Sequence, residues 1–298
     1  MLDSEFNDTK DINFNNGATP SPTGYKFFTR LFSIWGGSAN SIGTSNATVA
    51  NGVLTISGGQ ISTVAPGANA SGYVGTTFQG GAYFEARMSW SANTPSSKPW
   101  WPSFYSVPTE YFVGTSWPGQ ASSYKHFVEN DFFEAWGGNQ YGATIHDWYG
   151  DLGCTTTALD YCDISNDGSD SANPSDPAKD GVARYQNKVT MPTGAGVFHV
   201  IGALWVSAKQ SPNHIGYVEY FVDGQPTGVW KAWMTPPNGE SPPPTLPYIF
   251  SGLDDDHSTV FIGGPSNWPV QVDWIHVWQL NNAQSNPVAS PEPGFSGP

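Results

Sequence analysis

Apolar and polar positions alternate along several short stretches of the chain, and a period of two predicts β-strands. In GAYFEARMSW, residues 81–90, Tyr83, Glu85 and Arg87 share one face while apolar side chains occupy the other. The Asp223-Gly224 pair lies between two such stretches and predicts a β-hairpin turn. Further strand candidates are NGVLTISGG, HVIGALWVS and VQVDWIHVWQL. We find no stretch with convincing helical periodicity.

The turn signals between these stretches predict one all-β domain over residues 25–282, an antiparallel β-sandwich of jelly-roll type. Residues 1–24 are polar and rich in Asn and Asp, and we expect a flexible arm there. Residues 283–298 are expected to form a Pro-rich tail. Residues 151–188 and 234–248 are loop-like, and long loops on a β scaffold often shape a binding site.

Composition narrows the class of ligand. The 298 residues include 11 Lys and Arg against 25 Asp and Glu, which gives a formal net charge of -14. Because phosphate binding needs clustered cations, we expect no nucleic-acid and no membrane partner. Aromatic residues make up 14% of the chain. Their flat apolar faces, together with amides and acids, suit an uncharged, hydroxyl-rich ligand. We expect the chain to be a monomer.

Two cysteines, Cys154 and Cys162, lie in a loop-like segment. They predict a disulfide that closes a loop in an oxidising compartment, and therefore a secreted protein. Two unpaired thiols are the alternative. The first residues, MLDSEFNDTK, show no apolar core of a signal peptide, and no apolar run reaches the ~18 residues of a membrane span.

The stretch HFVENDFFEAWG, residues 126–137, places three acids in an apolar and aromatic strand. Glu129 and Asp131 share a face, because side chains alternate along a strand. Strict alternation would put Glu134 on the other face. One extra residue bulging out at Phe132–Phe133 would return Glu134 to the face of the first two acids, and such bulges are common beside active sites.

Three carboxylates on one face repel one another, so their pKa values must separate. One group can then stay ionised as a nucleophile while another stays protonated as an acid, which retaining glycoside hydrolysis requires. The residues alone leave a calcium-binding or solvent-facing acidic strand open as the alternative. Elsewhere, the aspartates at 254–256 predict a solvated acidic turn. Glu85 and Arg87 predict an ion pair or polar contact.

The spacing E-x-D-x-x-E followed by Ala135-Trp136-Gly137 resembles the catalytic signature of glycoside hydrolase family 16, in the bulged form of its laminarinase- and agarase-like branch. Further segments resemble family motifs in the same order over most of residues 75–280: GAYFEARMSW, PWWPSFYSV, ATIHDWYG, FHVIGALWV with YVEYFVDGQPTG, and VDWIHVWQ. The resemblance implies a concanavalin-like jelly roll with a concave substrate cleft.

The resemblance implies roles residue by residue. Glu129 matches the nucleophile, Asp131 the assisting acid and Glu134 the general acid/base. His146 matches a histidine that lines the cleft. Asp273 matches an aspartate that in many members helps to bind a structural calcium, a cation that prefers oxygen ligands. No cofactor is implied for catalysis.

Aromatic residues near the acids are candidates to stack on sugar rings, with core packing as the alternative. They are Trp101, Trp136 and Trp148. The chain departs from the family pattern at Asn130 and Phe132, where aliphatic residues are usual, and at Tyr105, which replaces a tryptophan.

These assignments predict a retaining, endo-acting glycoside hydrolase that cleaves internal β-linkages of a polysaccharide by double displacement. The shortage of Lys and Arg favours a neutral β-1,3-linked glucan or galactan over a sulfated chain. A hydrolase of agar- or carrageenan-type galactans is one alternative. A non-catalytic, lectin-like carbohydrate-binding protein is the alternative from another class, and the complete acid triad argues against it.

Overall fold

The computed structural model describes residues 1–15, 24–32, 42–66, 73–96, 100–109, 127–148, 183–191, 196–234, 251–254 and 256–279. These residues are mostly strands and turns, and a short 3-10 helix spans Ser251–Asp254. In chain order the strands are β1 (Leu2–Ser4), β2 (Ile12–Asn13), β3 (Phe27–Phe28), β4 (Arg30–Phe32), β5 (Ile42–Thr44), β6 (Ala47–Ala50), β7 (Val53–Ile56), β8 (Gly59–Ser62), β9 (Val64–Pro66), β10 (Tyr73–Gly75), β11 (Ala82–Trp90), β12 (Ser103–Pro108), β13 (Phe127–Gly137), β14 (Gln140–Trp148), β15 (Ala183–Thr190), β16 (His199–Val206), β17 (Ile215–Val222), β18 (Gln225–Met234), β19 (Ser258–Gly264) and β20 (Val270–Gln279).

Two eight-stranded sheets carry most of these strands. The front sheet has the order β15-β14-β13-β12-β19-β8-β3-β2. The back sheet has the order β18-β17-β16-β11-β20-β7-β6, and β1 also pairs with β20. Neighbouring strands are antiparallel except for the parallel pair of β2 and β3. The chain is therefore an antiparallel jelly-roll sandwich, which confirms the fold class that the sequence predicts.

The inner faces of the two sheets pack into a hydrophobic core. Phe132 of the front sheet stacks on Phe84 of the back sheet, with 4.8 Å between ring centroids. Asn130 also points inward, and its Oδ1 accepts a 2.7 Å hydrogen bond from the hydroxyl of Tyr220 in the back sheet. A buried amide is tolerated where it has such a partner. The departures at Asn130 and Phe132 therefore form contacts between the sheets.

The start of the chain corrects one prediction. Residues 1–15 are not a flexible arm, because β1 pairs with β20 and β2 pairs with β3. Leu2, Phe6 and Ile12 are buried in the core. Most residues of this segment are polar, so its composition predicted an arm although three apolar side chains are enough to attach it to the core.

The prediction of a solvated acidic turn at residues 254–256 is also corrected by the structure. Asp254 and Asp256 are 2% and 0% exposed, so neither is a solvated residue, and Asp255 lies outside the described residues. Asp254 Oδ2 accepts hydrogen bonds from Trp233 Nε1 (2.8 Å) and from the backbone N–H of Ala208 (3.1 Å). Burial raises the pKa of Asp254, and these hydrogen bonds oppose the shift.

Arg87 forms an ion pair, but its partner is Asp273 on β20. Glu85, on the same strand as Arg87, instead approaches His276, with 3.7 Å between Oε1 and Nδ1. The sequence placed the two residues on one face correctly. The bulge in β20 opposite Arg87 and Met88 then decides which carboxylate the guanidinium meets.

Some predictions fall on other parts of the chain. Cys154, Cys162 and residues 283–298 lie outside the described residues, so the disulfide and the tail stay predictions. Among the described residues, no helix has the length and apolar character needed to cross a membrane.

Candidate active site

The three acids lie on β13, in the middle of the front sheet. The register of β13 against both β12 and β14 slips by one residue between Asp131 and Glu134. Phe132 and Phe133 are both fully buried in the core. Two consecutive side chains therefore point inward, and Glu134 returns to the outer face that Glu129 and Asp131 share. This is the bulge that the sequence predicts.

Aromatic packing explains why β13 bulges at this point. The ring of Phe132 contacts both Phe84 and Phe104, with 4.8 Å between centroids in each case. Phe133 packs against Trp90, 4.2 Å away. Burying a side chain of this size is worth about 1.5–3 kcal/mol. Regular alternation would expose one of the two rings, so the backbone takes up the extra residue instead.

The carboxyl groups differ in their surroundings. Glu129 and Asp131 are 6% and 2% exposed, whereas Glu134 is half-buried. His146 is the cross-strand partner of Glu129 on β14, and its Nε2 lies 3.1 Å from Asp131 Oδ2. An imidazole in this place can donate to Asp131 and offset the repulsion between neighbouring carboxylates. His146 is thus in contact with Asp131, and its predicted place in a substrate cleft stays a prediction.

Trp101 and Trp136 lie on the same side of the front sheet as the acids. Trp101 is 40% exposed, and its indole Nε1 donates a 2.7 Å hydrogen bond to Glu134 Oε1. Trp136 is half-buried, and its ring lies so close over Gly142 that an added Cβ would be 2.8 Å from it. The backbone of Trp148 pairs with Phe127 at the end of β14. The side chain of Trp148 lies outside the described part of the structure.

A polar network beside the acids, on the same face of the front sheet, involves residues that the sequence did not mark as a site. The Tyr105 hydroxyl donates to Gln60 Oε1 (2.9 Å), and Gln60 Nε2 donates to Ser103 Oγ (3.2 Å). Tyr105 is 4% exposed and stacks on Phe261, so it is a buried donor rather than an open platform. The replacement of the family's tryptophan by Tyr105 was the one feature of the sequence that could have drawn attention to this position. Nothing in the sequence around Gln60 indicated a place near the acids.

Burial raises the pKa of Tyr105 well above its usual value, and the negative charge of Glu129 adds to the shift. The phenol therefore keeps its proton at neutral pH, where carboxylates are ordinarily ionised. Tyr105 can donate a hydrogen bond beside the acids without adding a further negative charge to them.

Two clusters of the described residues have donor atoms suited to a metal ion. Glu129, Asp131 and His146 form one, and Asp3, Glu5 and His276 form the other. In each cluster the histidine already contacts one of the carboxylates, Asp131 in the first and Glu5 in the second.

Asp273, the predicted calcium ligand, lies on the back sheet and away from the three acids. Its carboxylate is paired with the Arg87 guanidinium, so a cation there would compete with a resident positive charge. The calcium site stays a prediction.

Comparison with known proteins adds evidence about the fold. No family model matches the chain, and no curated protein matches it. An endo-1,3-β-glucanase from Streptomyces sioyaensis superposes with a TM-score of 0.51 over 93% of this chain and 94% of its own, at 18% identity. The two chains share one fold. A predicted glycosyl hydrolase from Parabacteroides distasonis has a TM-score of 0.35 and 12% identity, over 79% of this chain and 93% of its own. Peanut lectin has a TM-score of 0.30 and 10% identity, over 83% of this chain and 95% of its own. At these TM-scores neither structure adds to the argument.

Proposed function

We propose that this chain is a retaining, endo-acting glycoside hydrolase that cleaves internal β-linkages of a neutral β-1,3-linked glucan or galactan by double displacement. The observation that carries the proposal is the bulge in β13, which brings Glu134 to the face of Glu129 and Asp131. A solvated acidic strand would have no need for it. Burying two carboxylates is costly, and such an arrangement points to chemistry rather than to stability.

In the first step the Glu129 carboxylate attacks the anomeric carbon of the bound sugar. The bond between that carbon and the glycosidic oxygen breaks, and Glu134 donates its proton to the leaving oxygen. The product is a glycosyl ester of Glu129. The half-buried position of Glu134 suits this role, because its carboxyl must reach a substrate that lies above the sheet.

In the second step Glu134, now ionised, takes a proton from water while the water oxygen attacks the anomeric carbon. The ester bond breaks and the Glu129 carboxylate is released. Asp131 and His146 touch each other beside the nucleophile, so they orient Glu129 and balance its charge through the cycle. The two displacements together retain the anomeric configuration.

The choice of a neutral β-1,3-linked chain rests on two observations. Lys and Arg number only 11 in the whole chain, which disfavours sulfated polysaccharides. The structure with the TM-score of 0.51 is named an endo-1,3-β-glucanase, and we extend that substrate class to this chain as a proposal. Trp101, exposed beside Glu134, provides a flat face for a pyranose ring.

The first experiment is release of reducing sugar from laminarin, mixed-linkage glucan, β-1,3-galactan, agarose and carrageenan. We expect the wild type to act on laminarin or β-1,3-galactan. Glu129→Gln should lower kcat by roughly 10³-fold or more, because the nucleophile is lost. Binding without release on every substrate would favour the lectin-like alternative, and activity that survives Glu129→Gln would contradict the role of Glu129.

A second measurement separates retention from inversion. Proton NMR during early hydrolysis of a soluble β-1,3-oligosaccharide should show the β-anomer first, before mutarotation adds the α-anomer. Appearance of the α-anomer first would exclude the double displacement. Product length distinguishes endo from exo action, since an endo enzyme shortens the polymer faster than it releases small sugars.

Three further proposals accompany the function. We propose secretion, a disulfide between Cys154 and Cys162, and a monomer in solution. Thiol titration under denaturing conditions should find no free thiol unless the protein is first reduced. Light scattering should give a mass near the 32.0 kDa of the chain. Titration with calcium while following thermal unfolding tests the predicted site at Asp273.

A further inference from the structure

The side chain of Trp101 reaches the proposed general acid/base directly. Its indole Nε1 donates to Glu134 Oε1 over 2.7 Å. Trp101 lies just before β12, and Ser103, two residues later, is the cross-strand partner of Glu134. The pairing of Ser103 with Glu134 therefore places the indole of Trp101, just before β12, next to the end of the bulge in β13. The sequence motif marks Trp101 only as a ring that could stack on sugar.

We propose that Trp101 is a positioning residue for Glu134, whose indole N–H holds one carboxyl oxygen and leaves the other to carry the catalytic proton. The inference rests on the proposed role of Glu134 as general acid/base. It goes beyond sugar stacking, because it assigns the N–H of Trp101, and not only its ring, to the reaction.

The hydrogen bond determines which oxygen of Glu134 is protonated. A neutral carboxyl group has one O–H and one carbonyl oxygen. Oε1 accepts the indole N–H, so the proton resides on Oε2. In the first step this proton moves from Oε2 to the leaving glycosidic oxygen, and Glu134 becomes a carboxylate. The same N–H then forms a charge-assisted bond, which is shorter and stronger than a neutral one.

The indole N–H also acts on the balance between the two protonation states of Glu134. Titratable and charged side chains on the same face of the sheet come from four strands: Glu129 and Asp131 on β13, Tyr105 on β12, His146 on β14 and Lys188 on β15. Glu129 and Asp131 carry negative charge and favour the protonated form of Glu134. The N–H of Trp101 favours the ionised form, which the second step needs as its base. Removing the donor therefore shifts the balance towards protonated Glu134.

The test is Trp101→Phe, which keeps an aromatic face and removes the N–H. We expect the alkaline limb of the kcat/KM profile to move to higher pH by about one unit. The acid limb, which reports ionisation of Glu129, should stay in place. We expect kcat to fall about 10-fold, because the base of the second step is less often ionised.

Two other tryptophans serve as comparisons. Trp278→Phe changes a half-buried tryptophan on the outer face of the back sheet and should leave the pH profile unchanged. Trp136→Phe alters a second ring on the face of the acids and should raise KM without moving the alkaline limb. A Trp101→Phe profile that coincides with that of the wild type, with only KM raised, would overturn the proposal and reduce Trp101 to a stacking ring.

An activity-free readout separates this inference from the proposed function. In ¹⁵N-labelled protein the indole N–H resonance of Trp101, assigned by its loss in Trp101→Phe, should titrate with pH. In Glu134→Gln the same resonance should not titrate. A titrating resonance in a protein that cleaves nothing would support the contact and reject the hydrolase. A resonance that does not respond to Glu134 would reject the positioning role even in an active enzyme.

Discussion

Asp131 is a buried carboxylate that lies on the same strand face as a second buried carboxylate, Glu129. It is 2% exposed and is stabilised by the contact of its Oδ2 with His146 Nε2. Two neighbouring carboxylates repel each other, and burial reduces the screening by water. Two buried carboxylates on one face are unfavourable for folding, and this cost supports the proposed catalytic role of the site.

Asp131→Asn tests this balance. The amide has nearly the same shape, removes one negative charge and can still accept a hydrogen bond from His146. We expect kcat to fall about 10²-fold, because Glu129 and Glu134 lose the charge that tunes them. Thermal unfolding should stay within a few degrees of the wild type or rise. A large fall in melting temperature would mean that Asp131 is mainly structural, and Val128→Ala, a buried change on the inner face of the same strand, provides that comparison.

Gly142 is a second residue whose role is set by one neighbour. No positive φ constrains it, yet a Cβ there would lie 2.8 Å from the Trp136 ring. Gly142→Ala should displace that ring and raise KM several-fold, measured by initial rates on the polysaccharide that the wild type prefers. In a Trp136→Ala background the same change should have no further effect. Additive losses in this double-mutant cycle would show that Gly142 acts through something other than Trp136.

At the scale of the element, β13 and the strands on either side decide the geometry of the site. β12 contains Tyr105, the segment just before β12 contains Trp101, and β14 contains His146. β19 lies on the other side of β12, and the segment before it contains His257, which is 5% exposed. Thr109, at the end of β12, donates two hydrogen bonds of 2.8 Å to the carbonyl of His257, one from its backbone N–H and one from its hydroxyl. This connection ties β19 to β12.

The buried His257 predicts a stability that depends on pH. Burial lowers its pKa to about 4 from the ordinary 6.5, so the folded state favours the neutral ring. This contribution is complete above pH 6.5 and is lost as the pH falls towards 4. A shift of this size corresponds to about 3 kcal/mol in the free energy of unfolding. Urea unfolding at pH 7, 5.5 and 4 should show the loss.

The control for that experiment is His257→Gln, which cannot take up a proton. The variant is expected to be less stable than the wild type at pH 7 and to lose less stability on acidification. If both proteins lost the same amount between pH 7 and 4, another group would account for the acid sensitivity.

At the scale of the whole molecule, the two sheets depend on contacts from both ends of the chain. β1 pairs with β20, and Leu2 and Phe6 are buried although polar residues surround them. Glu5 also reaches His276 on β20, with 2.8 Å between Oε1 and Nε2. The beginning of the chain therefore completes the back sheet and its core.

A variant that lacks residues 1–6 tests this contribution. Losing the burial of Leu2 and Phe6 should lower the free energy of unfolding by about 3–6 kcal/mol, seen as an earlier thermal transition. A variant that lacks Met1 alone, which is 72% exposed, should unfold like the full chain. Equal melting temperatures for all three proteins would show that β1 contributes nothing to stability.

The amino-acid sequence by itself indicated the main strands of the sandwich, the class of fold and the place of the bulge. Alternation at residues 81–90 reports which face is buried, because a strand repeats every two residues. The spacing of Glu129, Asp131 and Glu134, together with its resemblance to a bulged family motif, predicted an extra residue at Phe132–Phe133. The packing of both rings in the core, seen in the structure, supplies the physical reason for the bulge.

Only the tertiary structure decided which side chains meet. Gln60 reaches Tyr105, beside the acids, because β8, β19 and β12 are neighbours in the front sheet, and nothing near Gln60 in sequence indicates that order. The hydrogen bond from Trp101 to Glu134 and the ion pair of Arg87 with Asp273 depend on strand pairing in the same way. The burial of Asp254 depends on the packing of the 3-10 helix against Trp205 and Trp233. Local periodicity indicates whether a side chain is buried or exposed, because it depends only on neighbouring residues. The residue that a side chain contacts depends on how distant parts of the chain pack together.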